Sequence, residues 1–112
     1  MEYRAVLERN REEIEILLRS GDVQDITDAL LSAAYYDAEW RWVQEQCLAF
    51  THHSDTNVRW VAATCLGHLA RIHGQLDLEL VLLRLSEMKT DALVKPSVDD
   101  ALEDIKFFLK FQ

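Results

Sequence analysis

Four histidines, two cysteines and twenty acidic residues are the side chains from which this 112-residue chain could build chemistry. His52 and His53 are adjacent, so on a helix they point in different directions. His68 and His73 stand five apart and miss the i, i+4 spacing of a two-histidine metal edge. No carboxylate sits at the spacing of an HExxH helix. These histidines read as exposed or loop residues, and no metal site is expected. Cys47 and Cys65 have no CxxC partner and fall on apolar stripes, which predicts two buried free thiols in a reducing compartment. There is no glycine-rich phosphate loop and no GxSxG among three glycines in all. The pairs Asp99-Asp100 and Glu103-Asp104 could work as acid and base, but they fall on the polar face of an amphipathic helix, where solvated carboxylates are the default. The expectation is a protein with no catalytic residue, no cofactor and no small-molecule substrate.

Composition bounds the partners. Hydrophobic residues make up 49% and charged residues 29%, with one proline, which excludes disorder, collagen and linker classes. Twelve Lys+Arg against 20 Asp+Glu leave a net charge of −8. Neutralising phosphates needs a basic face, so direct binding to nucleic acid or to an anionic membrane is not expected, whereas a basic protein partner is. Met1 to Glu13 carries charges every few residues and lacks an apolar signal-peptide core. The longest uncharged helical stretch, Trp60 to Ala70, is too short to span a bilayer, and a cytoplasmic protein is expected.

The elements that must position these residues are helices. Apolar residues recur at helical spacing throughout, and little turn chemistry for hairpins is present. Val58, Ala62, Cys65, Leu69 and Ile72 form one stripe, opened by Ser54-Asp55 and stopped by Gly74. Trp40, Val43, Cys47 and Phe50 form another started by Asp37, and Leu78, Val81, Leu85 and Met88 a third started by Asp77. Val98, Ala101, Leu102, Ile105 and Phe108 follow Ser97, with Asp100 as its capping-box partner. At the front, Leu7, Ile14, Leu17 and Leu18 run up to Gly21, and Asp22 opens a helix carrying Ile26, Leu30 and Ala33. Six helices are predicted, in a single domain over 1–112 with pairs at about 3–36, 38–73 and 77–110.

The pairs repeat. A shift of 36 carries Val58, Ala62, Cys65, Leu69 and Ile72 onto Val94, Val98, Ala101, Ile105 and Phe108, Asp55 onto Asp91, and Arg59 onto Lys95. A shift of 38 carries Trp40, Val43, Cys47 and Phe50 onto Leu78, Val81, Leu85 and Met88. Helix pairs of this length stacked side by side make an α-solenoid. The stretch from Ser54 to Leu69 resembles the second half of a HEAT repeat, with its Asp, short spacer, Val-Arg, Ala-Ala and Leu-Gly. Asp91 to Leu102 is a degenerate copy, with Lys95 for the arginine and Pro96 in the first turn. The resemblance implies an all-α fold, a short HEAT-like α-solenoid of about three antiparallel helix pairs. It further implies that Asp55, Arg59, Asp91 and Lys95 form a structural ladder between repeats.

Ala33 to Gln44 together with Val61 to Gly74 is similar to small bacterial HEAT-like immunity proteins of contact-dependent growth inhibition, a polymorphic toxin system. That resemblance implies a cytoplasmic antidote that binds and neutralises one cognate toxin domain. The alternative is a general adaptor holding a peptide or protein partner in a concave groove. In HEAT-like stacks the second helix of each pair lines the concave surface. Subtracting the core stripes leaves Asp25, Asp28, Ser32 and Tyr35 on the first such helix. The second offers Trp60, Thr64, Gly67, His68 and Arg71, and the third Asp99, Asp100, Glu103 and Phe107. Two acidic rows flanking small residues would suit a basic, nuclease-like toxin surface. Trp60 and Tyr35 lie off the core stripes, where binding hot spots are found, while Trp40 and Trp42 are assigned to packing. Partner contact is thus expected from Asp25, Asp28, Ser32, Tyr35, Trp60, Thr64, His68, Asp99, Asp100 and Glu103.

Overall fold

The computed structural model describes residues 5–110. Residues 1–4, with the start of the first predicted pair and of the charged N-terminal stretch, lie outside the described residues. Among those described there are six helices and no strand: α1 Arg11–Leu18, α2 Val23–Tyr36, α3 Trp40–Phe50, α4 Thr56–His73, α5 Leu78–Met88 and α6 Lys95–Leu109. None is long and apolar enough to cross a membrane.

The helix starts follow from side chains that satisfy the free N–H groups of the first turn. Asp22, Asp55 and Asp77 accept from the backbone N–H of Asp25, Val58 and Leu80. Asn10 and Glu13 close a reciprocal capping box on α1. Because that box opens the helix at Arg11, the first helix is shorter than its pattern suggests, and Leu7 is 60% exposed rather than part of the core. Gly74 takes the left-handed conformation that ends α4, as expected.

Two predicted starts shift. Asp37 closes α2 instead of opening α3, whose N-cap is Glu39. Its carboxylate is claimed by Arg11, at 2.9 and 3.0 Å in a bidentate pair, and by the Glu39 N–H. Burial pushes the Asp37 carboxyl up, but these donors and the Arg11 and His73 charges outweigh it, and the group sits below the usual carboxylate range. Ser97 does not cap α6 either. The helix begins three residues earlier than that cap would set, at Lys95, with Pro96 in its first turn where a missing N–H costs nothing, and Ser97 is buried inside it.

The even-numbered helices form a row, α2 beside α4 and α4 beside α6, and each odd-numbered helix packs on the even one that follows it. The core runs through that row: Ile26, Leu30 and Ala33 of α2, Val58, Ala62, Cys65, Leu66 and Leu69 of α4, and Val98, Ala101 and Ile105 of α6 are buried. The 36-residue shift maps buried onto buried, and its last step maps exposed onto exposed, since Ile72 and Phe108 both emerge from the core. Those two stripe residues were expected inside. They sit in the last turns of their helices. Cys47 and Cys65 are free and fully buried, and their mutual hydrogen bond and burial hold the Cys65 thiol well above its ordinary pKa.

Polar side chains tie the connections. Arg59 donates to the carbonyls of His53 and Ser54 and pairs with Asp91 at 3.2 Å, one rung of the expected ladder. The other cation, Lys95, turns to Asp99 at 2.8 Å, one helical turn away. Arg84 of α5 reaches the Thr51 hydroxyl and carbonyl at the end of α3, and buried Gln44 accepts from the Asp77 N–H. Arg11 also lies 3.8 Å over the Trp42 ring, which accounts for that tryptophan as packing.

α4 and α6 approach closely at Gly67. A Cβ built there would stand 3.0 Å from the Ala101 Cα and 3.1 Å from an Asp104 carboxylate oxygen. Gly67→Val is therefore expected to wedge α4 from α6 and destabilise the fold by roughly 2 kcal/mol or more, as overpacking does. Urea unfolding would show it as a lowered midpoint at unchanged slope.

Candidate partner-binding face

One face of the α2–α4–α6 row gathers most of the residues expected to meet a partner. On α2, Asp28 is half-buried and accepts from Gln24 at 2.8 Å, and Tyr35 is half-buried two turns further along. Asp25 is half-buried in the first turn, where its N–H is capped by Asp22. On α4, Trp60 is 37% exposed, and Thr64 and His68 follow it at helical spacing, half-buried. On α6, Asp100 and Glu103 are exposed and Asp99 is partly so. The Lys95 hydrogen bond holds the Asp99 carboxyl below its ordinary value.

Ser32 is the exception. It is fully buried, and its hydroxyl has no hydrogen-bond partner among the described residues. The helix that carries it packs against α1, α3 and α4, so its buried arc is wider than a single stripe and takes in a residue the periodicity left outside. Gly67 is likewise buried, as the contact point with α6 rather than an open strip of small residues.

Two small networks organise this face. At the first, Ser97 donates to the Trp60 carbonyl at 2.7 Å and shares a 2.8 Å hydrogen bond with Thr64. This bond set fixes the backbone that presents the Trp60 indole, and it locks the first turn of α6 to α4. At the second, Tyr35 meets His68 edge to face at 5.2 Å, and the Arg71 guanidinium lies over the Tyr35 ring at 5.8 Å. Arg71 also stands 3.1 Å from His68 Nδ1. A guanidinium can only donate, so Nδ1 accepts and the neutral ring carries its proton on Nε2. Burial first, and then the Arg71 charge, lower the His68 pKa against the opposing pull of Asp104.

Ser97 and Asp104 were not singled out for this face by sequence. A signal for Asp104 existed: Tyr35, His68 and Asp104 each stand thirteen positions after an aspartate of the repeat frame, Asp22, Asp55 and Asp91. The repeat offsets place them side by side across three helices. Ser97 carried no such signal, because a serine beside a helix start is indistinguishable in sequence from a cap.

Chemically the face is a binding surface. Among the described residues no group of three His, Cys, Asp or Glu side chains converges to hold a metal. Its carboxylates lie mainly on the outer helices, with aromatic and hydroxyl groups between them.

Because the folded protein holds His68 neutral below its ordinary pKa of 6.5, protonation favours the unfolded chain. The stability contributed by the Tyr35–His68–Arg71 cluster is complete above about pH 6.5 and is lost as the pH falls from there. Unfolding free energies at pH 7.5 and 5.5 are expected to differ more for the parent than for His68→Gln.

Comparison with known proteins adds a likeness to solved structures. No family model matches the sequence, and no curated protein matches it. Over 96% of its length the chain matches, at 34% identity and a TM-score of 0.87, a chain in the crystal structure of a CDI complex from Cupriavidus taiwanensis LMG 19424. The match covers 97% of that chain.

Proposed function

The chain belongs to the family of the matched chain in that contact-dependent growth inhibition complex, and we propose from this premise that it is the immunity partner: a protein that binds and neutralises one cognate toxin domain. The near-complete mutual coverage is the observation that carries the proposal, since a shared fold over whole chains supports a shared place in the complex. The net charge of −8 supports the immunity side of it. A basic, nuclease-like toxin must present cationic groups to its substrate, and an acidic face is complementary to them.

In this reading the protein is a short right-handed HEAT-like solenoid of three antiparallel pairs forming one domain. The ordered row of even helices and the 36-residue correspondence of buried positions support that description. It works in the cytoplasm by occlusion, with no catalysis, metal, cofactor or direct contact to nucleic acid of its own. Asp25, Asp28, Tyr35, Trp60, Thr64, His68, Asp99, Asp100 and Glu103 supply the contact, with the carboxylates filling the groove in which the toxin holds its substrate. The molecule is 37 × 29 × 27 Å, so one face can supply the ~800 Å² that a standard interface takes from each partner.

A tagged pull-down from the native host tests this. One basic toxin domain, held in high salt and inactive in the complex, is expected. Several unrelated partners released by salt would instead favour a general adaptor with a permissive groove. With the toxin in hand, charge reversal at Asp100 and Glu103 to lysine is expected to weaken binding by roughly 10- to 100-fold, mostly through the association rate, while the helical circular dichroism spectrum stays the same. Unchanged affinity would refute the electrostatic mechanism.

A further inference from the structure

The end of α6 carries an exposed feature that the acidic face does not account for. Phe107 is 70% exposed and Phe108 40%, and their rings meet edge to face at 4.8 Å. They border an open hollow of ≈ 570 Å³ together with Glu103, Asp104 and Lys106. Neither ring belongs to the buried core, and neither is needed to close the helix, which ends on Lys110 in the left-handed conformation.

Charge along α6 is not mixed evenly around it. At 3.6 residues per turn, Asp100, Glu103, Asp104 and Phe107 share one face, and Lys95, Asp99 and Lys106 line the strip beside it, with Glu103 one turn from both Asp99 and Lys106. Lys95 and Asp99 neutralise each other there at 2.8 Å. The aromatic pair is thus joined to three carboxylates and adjoins the contact of α6 with α4, where Asp104 reaches Gly67. A second copy of this chain docking by the same face would bring those carboxylates against their own equivalents, which costs free energy and disfavours self-association.

We propose that this turn of α6 is the apolar anchor of the partner interface: Phe107, backed by Phe108, seats against a basic partner surface whose lysine or arginine side chains lie between the rings and the Glu103 and Asp104 carboxylates. Resting on the immunity role proposed above, this names the partner chemistry at one end of the face. Aromatic rings offer an apolar contact and a π-face to a cation, and adjacent carboxylates supply the charge-assisted hydrogen bonds. Such a combination favours arginine, whose planar guanidinium can stack on a ring while its edge pairs with a carboxylate. The surrounding acids steer the encounter, and the buried ring slows dissociation.

The test measures affinity of the toxin domain recovered by the pull-down for the parent chain and for Phe107→Ser, Asp104→Asn and Ala92→Ser, the last an exposed control site away from the hollow. Phe107→Ser is expected to weaken binding at least 30-fold through faster dissociation, with the thermal midpoint and spectrum unchanged because the ring is exposed in the free protein. Asp104→Asn is expected to weaken it several-fold and to flatten its salt dependence, and Ala92→Ser to leave it unchanged. Parent-level affinity for Phe107→Ser would overturn the anchor while leaving the immunity role standing. Absence of any toxin bound by the parent would overturn both. Light scattering on the free protein gives the remaining outcome: a dimer abolished by Phe107→Ser would assign the rings to a second copy and refute the heterologous anchor.

Discussion

The arrangement depends on one close approach. α4 is flanked by α2 on one side and α6 on the other, with α3 beneath, and it can be so only because small residues line it. Ala62, Ala63, Gly67 and Ala70 are buried along α4, and Gly67 sits where even a methyl group would stand 3.0 Å from the backbone of α6. With two helices that near, the hydroxyl of Ser97 reaches the Trp60 carbonyl and Thr64 directly. The distance between the helices thus decides which side chains of the face can touch and where the Trp60 ring stands.

The polar work is done at the connections. Arg11, Arg59 and Arg84 each take oxygen partners at a helix end or loop: the Asp37 carboxylate, the His53 and Ser54 carbonyls, and the Thr51 carbonyl and hydroxyl. A guanidinium offers several donors in a fixed fork, so one side chain can satisfy groups that two loops leave open. Three of the chain's cations are committed to structure in this way, while Asp100 and Glu103 stand exposed on α6. The acidity of the candidate face follows from how the basic residues are used as much as from the composition.

Much of the helix pattern was legible because it is local. A 3.6-residue apolar stripe needs only its own residues to be recognised, and Asp22, Asp55, Asp77 and Gly74 act on backbone groups within four positions. The shifted starts at Asp37 and Ser97 fail for one reason: each side chain had a local role to offer and a distant partner that outbid it, Arg11 in one case and Trp60 in the other. Ser32 was misplaced because the width of a helix's buried arc depends on how many neighbours it has, which no stripe records.

By itself the sequence determined the helix count, the core stripes, the free thiols and the acidic excess, since these rest on residue type and short-range spacing. The tertiary structure alone decided that Arg71 turns onto the Tyr35 ring and His68 Nδ1, and that Ser97 ties Trp60 to α6. It alone left Phe108, expected on the core stripe, uncovered beside Phe107. Those relations join residues more than thirty positions apart or turn on what covers a helix flank, and both are set only when the helices close on Gly67.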